Sequence, residues 1–236
     1  MVVFDSCAGH IAQNAKSRIV DNAYAAFIVY KFMRITSGNA RGIWLNSPKG
    51  DSTRPATDAA RQAIFSSIGD AIIGSRVLDI FAGTGAYGLE AASRGASEIL
   101  FVESDRKALD TLKSNVYAVA RALSGAEKIP HMRIAGADCF KFLRAEFGAF
   151  DFVFADPPYA MLEDKKSLDR ILEMLCRLAS ENTTFVLEAP AQFVLPSGFT
   201  ASNGGENPKS FVIKETNRLG KKSKGKPSQV VFRIIS

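Results

Sequence analysis

Along most of this chain, apolar residues gather in short blocks separated by stretches of helical spacing. Residues 76–80, 98–102, 132–135, 150–155 and 183–188 are rich in Val, Ile, Leu and Phe, which predicts five strands. Near-continuous apolar runs of this kind belong to strands buried on both faces. Helical stretches are expected after the first, second and fourth, an alternation that gives a parallel sheet with right-handed crossovers. Upstream, Ala60, Ile64, Phe65 and Ile68 recur at helical spacing behind Thr57 and Asp58, and the helix should stop at Gly69. Earlier still, Arg34-Ile35-Thr36 and Ile43-Trp44-Leu45 flank a turn with Gly38 and Gly42, which predicts a small β-hairpin. Two β-rich runs near the end, 211–215 and 229–235, predict an antiparallel hairpin closing one edge of the sheet. No internal repeat is visible.

The first 32 residues break this pattern. Their apolar run Ala23-Tyr24-Ala25-Ala26-Phe27-Ile28-Val29-Tyr30 is followed at once by Lys31, and it is far short of the roughly 20 residues that span a bilayer. Asp5 and Asp21 precede it, and no small-residue cleavage site follows, so it does not read as a signal peptide. An added docking helix and an organelle-targeting segment both remain open, and Met33 is a candidate start. The chain therefore divides into an extension (1–32), a hairpin segment (33–56) and an α/β domain (57–236).

Composition narrows the class only a little. The 236 residues are 47% hydrophobic and 23% charged, an ordinary globular balance. A net charge of +6 and a pI near 9.3 permit a polyanionic partner without requiring one. Cys7, Cys139 and Cys176 form no metal or disulfide spacing and read as structural thiols in a reducing cytosol. With only His10 and His131 besides, no metal is expected.

The first chemical motif is Asp79-Ile80-Phe81-Ala82-Gly83-Thr84-Gly85-Ala86-Tyr87-Gly88, placed where a buried strand turns into a helix. Glycines at 83, 85 and 88 let backbone amides approach a ligand at the positive end of that helix. The same spacing satisfies a dinucleotide fingerprint, so alone it separates neither cofactors from each other nor a cofactor turn from a structural one. Glu103 ends the next strand about twenty residues on, where an acid meets the hydroxyls of a ribose.

The second motif is Asp156-Pro157-Pro158-Tyr159, at the carboxyl end of the fourth predicted strand. An exocyclic base amine is a poor nucleophile because its lone pair is delocalised into the ring. Two acceptors, the Asp156 carboxylate and the Pro157 carbonyl, can each take one N–H and turn the lone pair outward. Consecutive prolines stiffen that turn. Tyr159 offers a flat face for the base, and such stacking contributes roughly 1–3 kcal/mol. The plain alternative is a loop-initiating Asp-Pro-Pro followed by a core aromatic.

With these motifs in this order, residues 33 to about 190 resemble the bacterial 16S ribosomal RNA guanine-N2 methyltransferases of the RsmD family. The likeness is carried by Met33-Arg34-Ile35 through Arg41-Gly42, by Thr53-Arg54-Pro55-Ala56-Thr57-Asp58 with Arg61, by the 79–88 turn and by Asp156 to Tyr159. It implies a class I, Rossmann-like, S-adenosylmethionine-dependent methyltransferase: a mainly parallel seven-stranded sheet, a C-terminal antiparallel hairpin and a small N-terminal β-hairpin extension. By the same resemblance Asp79, Phe81, Gly83, Gly85 and Gly88 form the cofactor turn. Glu103 holds the ribose, Asp138 lies near the adenine amine, and Asp156 to Tyr159 hold the target guanine. A cytoplasmic monomer acting on the small ribosomal subunit or an assembly intermediate is implied as well.

Arg34, Arg41, Arg54 and Arg61 are the expected RNA contacts, the alternative being that Arg54 or Arg61 pairs with an acid such as Asp58. Lys214 to Lys226, with Arg218, Lys221, Lys222 and Lys224, reads as a mobile cationic arm or simply a solvated loop. The 156–159 motif serves any exocyclic amine, so adenine-N6 and cytosine-N4 methylation of DNA or other RNA stay open. So does a non-catalytic RNA-binding assembly module.

Overall fold

A computed structural model of the chain describes residues 33–47, 58–143, 149–201, 209–220 and 227–235. All of these fall in the unit Met33–Ser236. Residues 1–32, Arg54, Lys221, Lys222, Lys224 and Lys226 lie outside the described residues, and with them the expectations attached to them.

Eight strands form the main sheet: β3 (Arg76–Ile80), β4 (Glu98–Glu103), β5 (His131–Gly136), β6 (Phe152–Ala155), β7 (Thr184–Pro190), β8 (Gly198–Ala201), β9 (Lys209–Gly220) and β10 (Pro227–Ile235). Their order is β5-β4-β3-β6-β7-β10-β9-β8. The first five run parallel, and β10, β9 and β8 follow antiparallel. The expected class of fold is therefore present with one strand more than the seven anticipated. The short segment Gly198–Ala201 was unread because its four residues lack a strong apolar pattern, and pairing with Phe211 and its neighbours makes it a strand. β9 also runs on to Gly220, so Lys214 and Arg218 belong to a paired strand rather than to a loose arm.

Strand alternation supplies both layers of core. On β6, Val153 and Ala155 pack with Leu78, Ile80 and Leu187, whereas Phe152 and Phe154 face the other way with Val77, Phe101 and Tyr87. Helices α1 (Asp58–Ile68), α2 (Ala86–Ser93), α3 (Arg106–Ala122), α4 (Cys139–Phe142), α5 (Tyr159–Glu163) and α6 (Lys165–Leu178) fill the connections. Asp105 and Asp164 cap α3 and α6 through Ala108 N and Ser167 N, which satisfies amides the first turn leaves open. The one-turn α4 after β5 was not anticipated. Cys139 and Cys176 are buried free thiols, and burial pushes each up to about 12.

β1 (Met33–Arg34) and β2 (Trp44–Leu45) form the separate hairpin that the glycine-bearing turn predicted. This hairpin is bolted to α2. Glu90, with no exposed surface, accepts from Thr36 N at 2.8 Å, Thr36 Oγ1 at 2.6 Å, Ser37 N at 3.1 Å and Arg94 Nε at 2.8 Å. Gly38 takes φ +81° and lies so close to the Ser93 carbonyl that a Cβ there would collide with it. On the other side, Asn115 of α3 receives Asn46 N at 2.8 Å and donates to Asn46 O and Thr84 O. One buried amide thus ties the hairpin's exit to the glycine turn.

Candidate active site

The glycine turn leaves the tip of β3 through a cramped bend. Phe81 sits at φ +57°, and Gly83 and Gly85 follow at +54° and +78°, a region that favours glycine. Two of the three glycines face protein. A Cβ on Gly88 would strike the Phe101 ring, and one on Gly85 would press on Leu112. Gly88 therefore acts on the site by letting α2 approach the sheet, and through its amide, which donates to Asp79 Oδ2 at 2.9 Å. Gly83 differs, because beyond its Cα the nearest atom is the Phe81 carbonyl at 3.9 Å from a built Cβ. Open space over Gly83, beside the N-terminus of α2, suits a ligand that needs backbone at close range.

Glu103 ends β4 opposite this turn. Its Oε2 accepts from Gly83 N at 2.8 Å, and Oε1 accepts from Ser104 N and Asp105 N at 2.7 Å each. A carboxylate offers about four acceptor sites, so one on Oε2 remains for a hydroxyl donor. Asp138 follows β5 and caps α4 through Oδ1 and Phe140 N at 2.9 Å, with Oδ2 outside that bond. The Phe81 and Phe140 rings meet edge to face at 6.1 Å, an apolar flank suited to a nucleobase. An open backbone over Gly83, an acid with a remaining acceptor site and an aromatic flank fit the S-adenosylmethionine that the class of fold implies.

The other wall rises from the next strands. Ile80, Ala155 and Leu187 are in register across β3, β6 and β7. Phe81 and Asp156 therefore leave adjacent strand tips side by side, with Glu188, still inside β7, next to them, and Asp156 N bonds back to Ile80 O at 3.4 Å. Pro157 is buried, Pro158 is exposed at the N-cap of α5, and Tyr159 begins that helix half-buried. Among the described residues no donor is bonded to the Asp156 carboxylate or the Pro157 carbonyl. Asp156 keeps some accessible surface, yet enclosure by protein pushes its carboxyl well above the usual carboxylate range, and the charges of Glu188 and Asp79 add to this. Asp79, 2% exposed, is pushed up to about 8 by burial, with the Gly88 amide opposing and the Glu103 charge reinforcing.

Two residues here were not anticipated from sequence. Tyr87 of α2 stacks on Phe154 at 5.2 Å and donates its hydroxyl to Glu188 Oε2 at 2.8 Å. Glu188, 2% exposed, also receives Gln229 Nε2 from β10 at 3.4 Å. The available signal was the acid ending the apolar run Phe185-Val186-Leu187, the same pattern that singles out Glu103.

The arginines separate into two groups. Arg34 and Arg41 are exposed and share a cavity of about 160 Å³ with Thr36, Gln62 and Asp58. Arg34 lies 3.6 Å from Asp58 and 5.9 Å from the centre of the Trp44 ring. Arg61 corrects the sequence expectation. Its side chain has no exposed surface and donates to Asp58 at 2.8 Å, to Arg34 O at 2.7 Å and to Met33 S at 3.3 Å. A guanidinium so enclosed fastens α1 to β1 and offers nothing to RNA. Arg218 is likewise committed, to Glu215 and to Phe193 O at 2.9 Å each.

A parallel sheet in this order, with a glycine turn after its central strand and acids on the neighbouring tips, defines a class I S-adenosylmethionine-dependent methyltransferase fold. Residues 33–203 match the family described as Conserved hypothetical protein 95, and the chain belongs to it; this is the RsmD family that its motifs resemble. It is 38% identical over 168 residues to "Putative rRNA methyltransferase YlbH" of Bacillus subtilis, covering 70% of this chain and 86% of that one. It is 33% identical over 138 residues to "Ribosomal RNA small subunit methyltransferase D" of Escherichia coli, covering 58% and 66%. The solved structure "Putative methyltransferase yhhF from Escherichia coli" matches with a TM-score of 0.63 at 24% identity, over 85% of this chain and 97% of that one. Among the described residues no helix is long and apolar enough to cross a membrane.

Proposed function

We propose that this chain methylates the exocyclic N2 amine of a guanine in 16S ribosomal RNA, as a cytoplasmic monomer acting on the small subunit or an assembly intermediate. The observation that carries the reading is the pair of unengaged acceptors, the Asp156 carboxylate and the Pro157 carbonyl, on the strand tip beside the glycine turn. The relatives named as ribosomal RNA methyltransferases support RNA as the substrate class.

S-adenosylmethionine supplies, when bound, an electrophilic methyl group on a cationic sulfur. The Asp156 carboxylate and Pro157 carbonyl each accept one N–H of the amine, which turns its lone pair toward the methyl side. Tyr159 covers one face of the base, drawn out of its stack into the pocket. Asp156, whose proton affinity is raised, is suited to take the proton the amine loses. Orientation by this fixed turn contributes most of the acceleration. Arg34 and Arg41, around their shared cavity, hold the RNA backbone.

Incubating the protein with radiolabelled S-adenosylmethionine and small subunits, then digesting the RNA to nucleosides, tests this. Label in N2-methylguanosine is expected. Label in a methylated adenine or cytosine would overturn the base assignment, and RNA binding without incorporation would leave only an assembly module.

A further inference from the structure

Glu188 stands apart from the groups the transfer requires, because it is buried beneath them. The register of β6 with β7 puts it, within β7, beside Asp156, while Asp79 lies on β3 in register with Phe154. Strand alternation turns Asp79, Phe154, Asp156 and Glu188 to one face of the sheet, the face on which Tyr87 of α2 stacks. Three carboxyl groups from three adjacent strands therefore crowd a desolvated layer. Their neighbours are the Tyr87 hydroxyl from α2, Tyr159 from α5, Gln229 from β10, Glu103 from β4 and the Arg61 guanidinium from α1. The Arg61 charge acts on Tyr87 and Glu188 in this layer, while its guanidinium donates to Asp58, Arg34 and Met33. These carboxyls are not spaced as a metal site, since no group of three acids, histidines or cysteines among the described residues could hold an ion.

Like charges in a dry layer cannot all ionise. Burial and mutual repulsion raise the proton affinities of Asp79, Asp156 and Glu188, which favours retention of protons in the free protein. The cofactor brings a fixed positive charge on sulfur to the strand tips, whereas the demethylated product is neutral there. We propose that Glu188, held by Tyr87 and Gln229, is a positioning residue that couples binding of the cationic cofactor to proton release from the Asp79, Asp156 and Glu188 layer, so that the site distinguishes cofactor from spent product by charge. The coupling leaves Asp156 ionised once the cofactor is in place, ready to accept the amine N–H. It rests on the reading that the sulfonium faces Asp156, but not on which base is methylated.

Calorimetry of cofactor binding without RNA tests it, run in buffers of different ionisation enthalpy between pH 6 and 9. S-adenosylmethionine is expected to release protons on binding and S-adenosylhomocysteine to release far fewer. Their affinity ratio should rise with pH by up to about tenfold per pH unit, the slope for one linked proton. In Glu188→Gln the proton release and the slope of that ratio should fall by about half or more while S-adenosylhomocysteine binds as before. Tyr87→Phe, which removes a hydrogen bond favouring the Glu188 anion, should keep the linkage and move it to higher pH. Equal proton release by both ligands in the native protein, or an unchanged slope in Glu188→Gln, would overturn the proposal. Because no RNA is present, a wrong base assignment leaves these results untouched.

Discussion

The two acids at the ends of β4 and β6 answer the same local problem in opposite ways. Glu103 has backbone amides from Gly83, Ser104 and Asp105 around it, so its charge is met before any ligand arrives. Asp156 has no donor among the described residues and faces two further carboxyls. One wall of the pocket is assembled in advance, and the other crowds carboxyl groups together with no donor to Asp156 among the described residues. A strand-tip acid supplied with amides suits lasting recognition of neutral hydroxyls. A crowded one suits a step in which charge changes.

The sharpest way to break this contrast is Asp156→Ala. Turnover should fall on the order of 10²-fold or more, as when one preorganised hydrogen-bond partner is lost, while calorimetry still detects cofactor binding. Near-normal kcat would remove the assigned role. Next in size is Glu103→Ala, which deprives Gly83 N of its partner and removes the proposed ribose contact. Cofactor affinity should weaken roughly tenfold, about 1.4 kcal/mol, with kcat at saturation changed little, and unchanged affinity would sink the ribose assignment.

The crowded wall should also show itself in the stability of the free protein. A carboxyl whose folded pKa is raised stabilises the fold fully below its unfolded value and ceases to do so as pH rises through the folded one. For Asp79 that window runs from about 4 to about 8. Thermal unfolding should therefore occur at progressively lower temperature across it, and Asp79→Asn should flatten the trend. A melting temperature independent of pH there would contradict the described burial. Smallest of all, Arg34→Ala should weaken RNA binding by about tenfold or less at moderate salt, with cofactor affinity intact.

Much of this was legible in the residues. Apolar blocks gave the five parallel strands nearly in place, because buried strands leave no polar face to confuse the pattern. The acids at 103 and 156 stood out because each interrupts such a block at its end. Glu188 carries the same signature without the added cue the others have, the spacing of Glu103 from the glycine turn and the prolines after Asp156. Its meaning comes from Tyr87, 101 residues away in sequence, and from a register that one chain read linearly does not contain. Arg61 failed for a similar reason. A charged residue near other arginines suggests an exposed patch, and only the packing of α1 against β1 encloses it. The strand β8 depends on pairing with β9, which comes later in the chain, so its own residues say little.

Glu90 carries a practical corollary. Its side chain has no accessible surface, and three of its four hydrogen bonds come from Thr36 and Ser37. Cutting the chain back to its nucleoside-binding half would flood that carboxylate's chamber and strip it of neighbours, in the very helix whose first turn shapes the floor of the pocket. The small hairpin, for all its resemblance to a detachable RNA-reading module, is thus part of the foundation, and any attempt to graft it elsewhere or trim it away must first neutralise residue 90.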